Sequence, residues 1–232
     1  MVNEYIWIGF LLIDFIVAVI VYRLFGRVGL YCLIVMNIIV CNIQVLKIVK
    51  LFGLTTTLGN IMYASIFFST DVLSELYGKD EARRGVWLGF AMLLLATVYM
   101  QIAMLFTPDK SDFINPALAK IFTLYPRVAA ASLLAYLVSQ LHDVWAFHFW
   151  KLRAHGRFLW LRNNASTMVS QAIDSVIFCT VAFWGMFPLV DFLQILLTTY
   201  LLKFIIALAD TPFIYLARYL KAPDLPAQEP SA

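Results

Sequence analysis

Ser139-Gln140-Leu141-His142-Asp143 recurs 31 residues later as Ser170-Gln171-Ala172-Ile173-Asp174, and each copy is followed four residues on by phenylalanine, Phe147 and Phe178. On a helix, Gln and Asp at i and i+3 share one face. Each copy therefore presents an amide, which donates and accepts, beside a carboxylate that only accepts. That pairing suits a planar, uncharged heterocycle with a guanine-like edge. The carboxylate takes two parallel N–H donors and the amide donates to the adjacent carbonyl oxygen. Phe147, Phe178, Trp145 and Trp184 are near enough in sequence to supply a stacking surface. The same Gln and Asp would also serve as interhelical ties; their duplication weighs toward a site.

A second acidic constellation is Thr70-Asp71 with Glu75, one turn apart, which reads as a substrate or proton site or as a partner for Lys79, Arg83 or Arg84. Lys203 and Asp210 stand two turns apart in an apolar run, each expected to pair with a neighbour, and Pro212 is expected to kink the helix there. Asn37, Asn42 and Gln44 read as helix–helix ties, with Asn42 and Lys47 able to face a cavity from outside. Catalytic chemistry finds little footing. His142, His148 and His155 lack H-E-x-x-H spacing, and no G-x-S-x-G, glycine-rich phosphate loop or ATP-binding motif occurs. Cys32, Cys41 and Cys179 lie inside apolar runs without metal-ligand spacing and read as buried thiols. The sequence implies no cofactor and no metal, and is not that of an enzyme.

These polar groups sit in a chain of 232 residues that is 62% hydrophobic and 13% charged, with a mean hydropathy of +0.84. Soluble domains are about half apolar and a quarter charged, so an ordinary globule and a disordered chain are both excluded. A net charge of +3, dispersed along the chain, gives no nucleic-acid footprint. The apolar residues fall in long runs, predicting an all-α polytopic transmembrane helical bundle. Seven spans are expected over 5–25, 28–49, 57–76, 86–106, 128–150, 165–187 and 192–219. The third carries Asn60, Ser65, Ser69, Thr70, Asp71, Ser74 and Glu75, so it belongs inside the bundle. A mid-bilayer carboxylate costs about 2.5–3.5 kcal/mol on insertion scales, so Asp14, Asp71, Glu75, Asp143, Asp174 and Asp210 each need a reason.

Eleven Lys and Arg residues fall on one side of these spans and five on the other, which predicts N-out and C-in. The residues 1–221 form one transmembrane domain, and 222–232, proline-rich, reads as a disordered tail. In the long loop 107–126, the stretch around Asn115-Pro116 predicts a capped short helix at the outer interface. Asn164-Ala165-Ser166 fits a glycosylation sequon, but on the inner side it reads as a helix cap. Consecutive spans are antiparallel, so the two S-Q-x-x-D copies relate by a pseudo-two-fold axis in the membrane plane, as in secondary transporters.

The stretch Ser69-Thr70-Asp71-Val72-Leu73-Ser74-Glu75-Leu76-Tyr77-Gly78, followed by Ala82-Arg83-Arg84, resembles the "TD…E.YG…AR" signature of the queuosine precursor transporters, also known as vitamin uptake transporters. So does Trp160-Leu161-Arg162-Asn163-Asn164-Ala165-Ser166-Thr167 leading into Ser170, Gln171 and Asp174. The resemblance covers about 35–219, leaving the first span as an addition to a six-span core. It implies an inner-membrane importer of 7-deazaguanine bases (7-cyano-7-deazaguanine, 7-aminomethyl-7-deazaguanine or queuine) for tRNA queuosine modification. It carries over Asp71, Glu75, Asn164, Ser170, Gln171 and Asp174, with Gln140 and Asp143 in the matching repeat, as substrate-binding positions. The partners expected are the small-molecule deazapurine and the lipid bilayer, and a homo-oligomer is compatible with this reading. The rival reading is a substrate-binding membrane subunit of an ATP-energised vitamin uptake system.

Overall fold

The computed structural model describes residues 2–153, 159–185, 188–220 and 222–224. In chain order the elements are α1 (Val2–Gln44), β1 (Ile48–Leu51), β2 (Leu54–Thr57), α2 (Asn60–Leu76), α3 (Lys79–Ala103), α4 (Asn115–Arg153), α5 (Leu159–Phe183) and α6 (Leu189–Leu220). An unbroken helix of 43 residues would be about 65 Å long. Yet Asn3 Nδ2 donates to the Lys50 carbonyl at 3.2 Å, and the Phe52 N–H donates to Glu4 at 3.0 Å. The chain therefore reverses inside α1, at Gly26, whose φ of 57° and ψ of −139° lie where only glycine is comfortable. The arms 2–25 and 27–44 lie back to back as the first two expected helices. Asp224 locks the turn, accepting from the Arg27 N–H at 3.1 Å and from the Tyr77 hydroxyl at 2.6 Å. The Ala222 N–H also donates to Tyr22 Oη at 3.1 Å, so 222–224 pack onto the bundle; the rest of the tail expected to be disordered lies outside the described residues.

The second expected span is shorter than its apolar run, because 48–57 form a two-stranded antiparallel hairpin. Leu51 pairs with Leu54 across a two-residue loop, and Phe52 and Gly53 both have positive φ (52° and 79°), the backbone of a tight hairpin turn matched to strand twist. The third span accordingly starts at Asn60 rather than 57.

Every residue of α2 from Asn60 to Ser74 is buried, although its sequence is the most polar of the expected spans. It is enclosed by α1, α3, α4 and α6, which turn apolar faces outward: Ile13, Ile16 and Ile20 on α1, Leu94, Val98 and Ile102 on α3, Leu197, Leu201 and Ile205 on α6. Polar inside and apolar outside is the inverse of a soluble bundle, and it satisfies a bilayer. Val2–Gln44, Lys79–Ala103, Asn163–Phe183 and Phe192–Leu220 are long and apolar enough to cross a membrane. Asn115–Thr123 and Pro126–Arg153, bent by 47°, make a fifth if they form one span. The chain is a multi-pass helical membrane protein. Pro126 accounts for that bend by removing a backbone donor, so the short loop helix and the fifth span are one bent element. Its start is capped by Asp112, which accepts from the Ile114 and Asn115 N–H groups at 3.0 and 2.9 Å. Cys41 and Cys179 are buried as expected, but Cys32 is exposed, on the outward side of its arm.

Gly85 and Gly89 of α3 form a G-x-x-x-G face that admits α1 and α4 closely. A Cβ on Gly89 would lie 2.3 Å from Tyr136 Oη and 2.9 Å from the Ile34 side chain, while Tyr136 donates to the Val86 carbonyl at 3.1 Å. Gly89→Val is expected to cost about 1–3 kcal/mol through overpacking, read as a lower thermal unfolding midpoint of detergent-purified protein; an unchanged midpoint would refute the close approach.

Candidate functional site

The polar groups of α2, α4, α5 and α6 meet in two layers. The upper one is centred on Asp174 of α5. Its Oδ1 accepts from the hydroxyls of Tyr63 on α2 and Ser139 on α4, and its Oδ2 binds the Lys203 ammonium of α6. Lys203 Nζ also sits 4.2 Å from the centre of the Tyr63 ring. Asp174 and Lys203 are 1% and 5% exposed, so this ion pair is withdrawn from water. Above it lies a partly open pocket with a cavity volume of about 40 Å³. Asp174, Lys203, Tyr63 and Phe178 line it, with Asn42, Asn60, Ser132 and Thr199 supplying further polar groups. Its far end is Thr57, Leu58 and Gly59, the junction between the hairpin and α2.

The lower layer lies eight residues further along α2 and seven along α6, about 10–12 Å deeper. Here Asp143 of α4 lies against the Asp71 carboxyl and beside the hydroxyls of Ser166, Thr167 and Ser170. Those hydroxyls are spent elsewhere. Ser166 donates to the Asn163 carbonyl (3.0 Å), Ser170 to the Ser166 carbonyl (2.8 Å), and Thr167 to Asp71 Oδ2 (3.2 Å). Both Asp143 oxygens and Asp71 Oδ1 are buried without a donor. Asp210 accepts from Asn163 at 3.1 Å. Among the described residues, Asp71, Asp143 and Asp210 form no ion pair with Lys or Arg. Two carboxyl groups in contact in a dry site repel unless a proton or another cation lies between them.

The two repeat copies join these layers. Ser139 of the first donates to Asp174 of the second at 3.3 Å, and Ser170 of the second lies beside Asp143 of the first. This reciprocal seating is what a two-fold relation between antiparallel helices requires. The glutamines fall between the layers. Gln140 accepts from Thr70 at 3.1 Å, but its Nε2 has no partner. Gln171 is fully buried with neither amide atom bonded. His142 Nδ1 lies 2.9 Å from Ser170 Oγ. The duplicated carboxylates thus occupy successive levels rather than one plane.

Other expected positions fall elsewhere. Glu75 stands at the end of α2, with Lys151 of α4 at 3.1 Å and Arg218 of α6 at 3.5 Å, tying three helix ends together. Glu75→Gln is expected to lower stability by about 1–3 kcal/mol, because two cations lose a mostly buried partner; a midpoint unchanged in thermal unfolding would mean the ties are slack. Asn164 is inside α5, donating to the Trp160 carbonyl at 2.7 Å and to Thr211 at 2.9 Å, so it locks α5 to α6 instead of capping a helix. Lys203 pairs with Asp174, and α6 runs on through Pro212. Phe178 lines the pocket, Phe147 is buried, and Trp145 and Trp184 face outward and cannot stack there. Tyr63 is the site residue that sequence reasoning misses, since nothing local marks a tyrosine two turns before Asp71 as the partner of a carboxylate 111 residues away.

A helical bundle with apolar flanks, a polar core and a pocket among its buried polar groups defines a multi-pass membrane protein with a candidate binding site. The family profile described as "Putative vitamin uptake transporter" matches residues 57–217. A "Probable queuosine precursor transporter" of Bacillus subtilis (strain 168) is 48% identical over 219 residues, covering 94% of this chain and 96% of the relative. A "Queuosine precursor transporter" of Escherichia coli (strain K12) is 30% identical over 165 residues, covering 69% and 71%. No solved structure matches the chain. The chain belongs to the vitamin uptake transporter family, whose members include the queuosine precursor transporters.

Proposed function

We propose that the protein imports 7-deazaguanine precursors of queuosine across the cytoplasmic (inner) membrane, through seven spans arranged N-out and C-in. The observation that carries this is Gln171. It is a fully buried amide with no partner, one turn below the carboxylate that floors the pocket. Leaving such a group unmatched costs about 1–3 kcal/mol, which a ligand with a complementary edge returns. Asp174 accepts the ring N–H and exocyclic amine of the guanine edge, Gln171 donates to its carbonyl oxygen, and Phe178 and Tyr63 flank the ring. The pocket opens beside the hairpin and the N-terminal end of α1, the side that the charge count places outside. Substrate would then pass Gln140 and Ser170 to Asp143 and Asp71, where a coupling proton is held between the two carboxyls. Glu75 ties helix ends together and Asn164 locks α5 to α6 around that path. The relatives' names favour a transporter over a binding subunit of an ATP-energised system.

The test is the queuosine content of tRNA in cells that neither make the precursor nor keep their own importer. Such cells would express this protein and be fed each deazapurine at nanomolar concentration. Restored queuosine is expected with at least one compound; none with any, despite confirmed membrane expression, would overturn the reading.

A further inference from the structure

Of the described residues lining the upper pocket, Lys203 is the one cation and Asp174 the one carboxylate, and they are bound to each other. Both oxygens of Asp174 are thus taken before any ligand arrives. A guanine edge that needs both must take the place of a Tyr63 or Ser139 hydroxyl at Oδ1 and push aside the ammonium at Oδ2. The ammonium already lies over the Tyr63 ring, 4.2 Å from its centre, a contact it can keep as it moves off the carboxylate. An uncharged guest leaves the charges balanced, since Lys203 remains beside the carboxylate it has partly ceded. A guest that brings its own ammonium puts two positive charges against one carboxylate in a pocket floor withdrawn from water, where like charges are poorly screened.

We propose that Lys203 is a specificity-determining residue: by lending Asp174 its counter-charge, it makes the pocket prefer a 7-deazaguanine with an uncharged substituent over one carrying an ammonium. This rests on the deazaguanine reading of the site. Removing the lysine reverses the balance, because Asp174 is then a buried negative charge without a counter-charge, and an ammonium held across the ring from it is attracted rather than repelled.

The experiment measures the ratio of half-inhibitory concentrations of 7-cyano-7-deazaguanine and 7-aminomethyl-7-deazaguanine against labelled uptake, in cells without another importer. Expression cancels in a ratio taken within each variant. Wild type is expected to favour the cyano compound. Lys203→Met is expected to move the ratio at least about tenfold toward the aminomethyl compound, while Lys203→Arg keeps the wild-type ratio. Lys203→Gln keeps a donor for Asp174 without the charge and takes the place of Lys203→Met if that variant fails to insert. A ratio within about twofold of wild type in the charge-removed variant, or a wild type that prefers the aminomethyl compound, overturns the proposal. Should neither charge-removed variant insert, the wild-type preference alone decides it. Uptake of neither compound by wild type is a separate result that overturns the deazaguanine reading itself.

Discussion

Asp174→Asn is expected to abolish uptake of every deazapurine the native protein carries. The carboxylate accepts from Tyr63, Ser139 and Lys203, and in the proposed complex it takes two N–H donors of the base. An amide offers one acceptor oxygen and turns a donor toward the other. Hydrogen bonds to a charged group contribute about 1.5–3 kcal/mol each, so losing one outright, weakening the other and setting a donor against a donor lowers affinity by more than about tenfold. The single substitution also strands Lys203 as a buried, unpaired charge, which costs about 3–5 kcal/mol. Folding and binding would then fail together and could not be told apart. Asp174→Asn with Lys203→Met separates them. The double variant is expected to recover the unfolding midpoint and the membrane yield, because the stranded charge is gone, yet to remain inactive. A double variant that inserts and transports normally would remove Asp174 from the site.

Long apolar runs make the helices legible, and the polar run 60–75 marks an enclosed helix from its own residues alone. The hairpin 48–57 is not legible. Its apolar Ile48 and Val49 continue the preceding run past Lys47 alone, and its turn is Phe52-Gly53 rather than the Asn-Gly that usually marks one. The two-fold relation can be read because a period in sequence becomes a symmetry in space when consecutive helices are antiparallel. What the period cannot supply is depth. Asp143 and Asp174 have the same local spacing, but antiparallel helices seat each copy's Asp against the other copy's Ser, which puts the two carboxylates at different depths along the membrane normal. Their chemistry then differs for reasons absent from the motif. Lys203 reaches the upper acid, and Asp71 meets the lower one. Partners from distant segments fix the role of each copy, and single-sequence spacing does not encode them.

That difference gives the second large effect. Asp143→Asn is expected to fold at least as well as the native chain and to lose accumulation of substrate. In the native protein, Asp143 presents two buried oxygens without a donor and abuts Asp71, whose Oδ1 is likewise unmatched. An asparagine amide supplies a donor to Asp71 and removes a like-charge contact, so the unfolding midpoint should hold or rise, by an amount comparable to one buried hydrogen bond, about 1–3 kcal/mol. The gain is what disables transport. A proton shared by two carboxyls comes and goes during the cycle, whereas an amide donor is permanent and keeps the site in the equivalent of its protonated form, from which the loaded carrier still alternates but the proton-releasing step is missing. Proteoliposomes separate the two consequences. With a proton gradient, accumulation by Asp143→Asn should fall at least about tenfold, while exchange of labelled for unlabelled substrate, which does not require the proton to leave, should persist. Gradient-driven accumulation at the native level would show that the Asp71–Asp143 contact does not carry the coupled proton. Loss of exchange together with accumulation, in a variant with an undiminished midpoint, would show that Asp143 binds the passing substrate rather than holding the coupling proton. In that case the lower layer is a second binding level, and the coupling proton must sit on Asp210 or on another group.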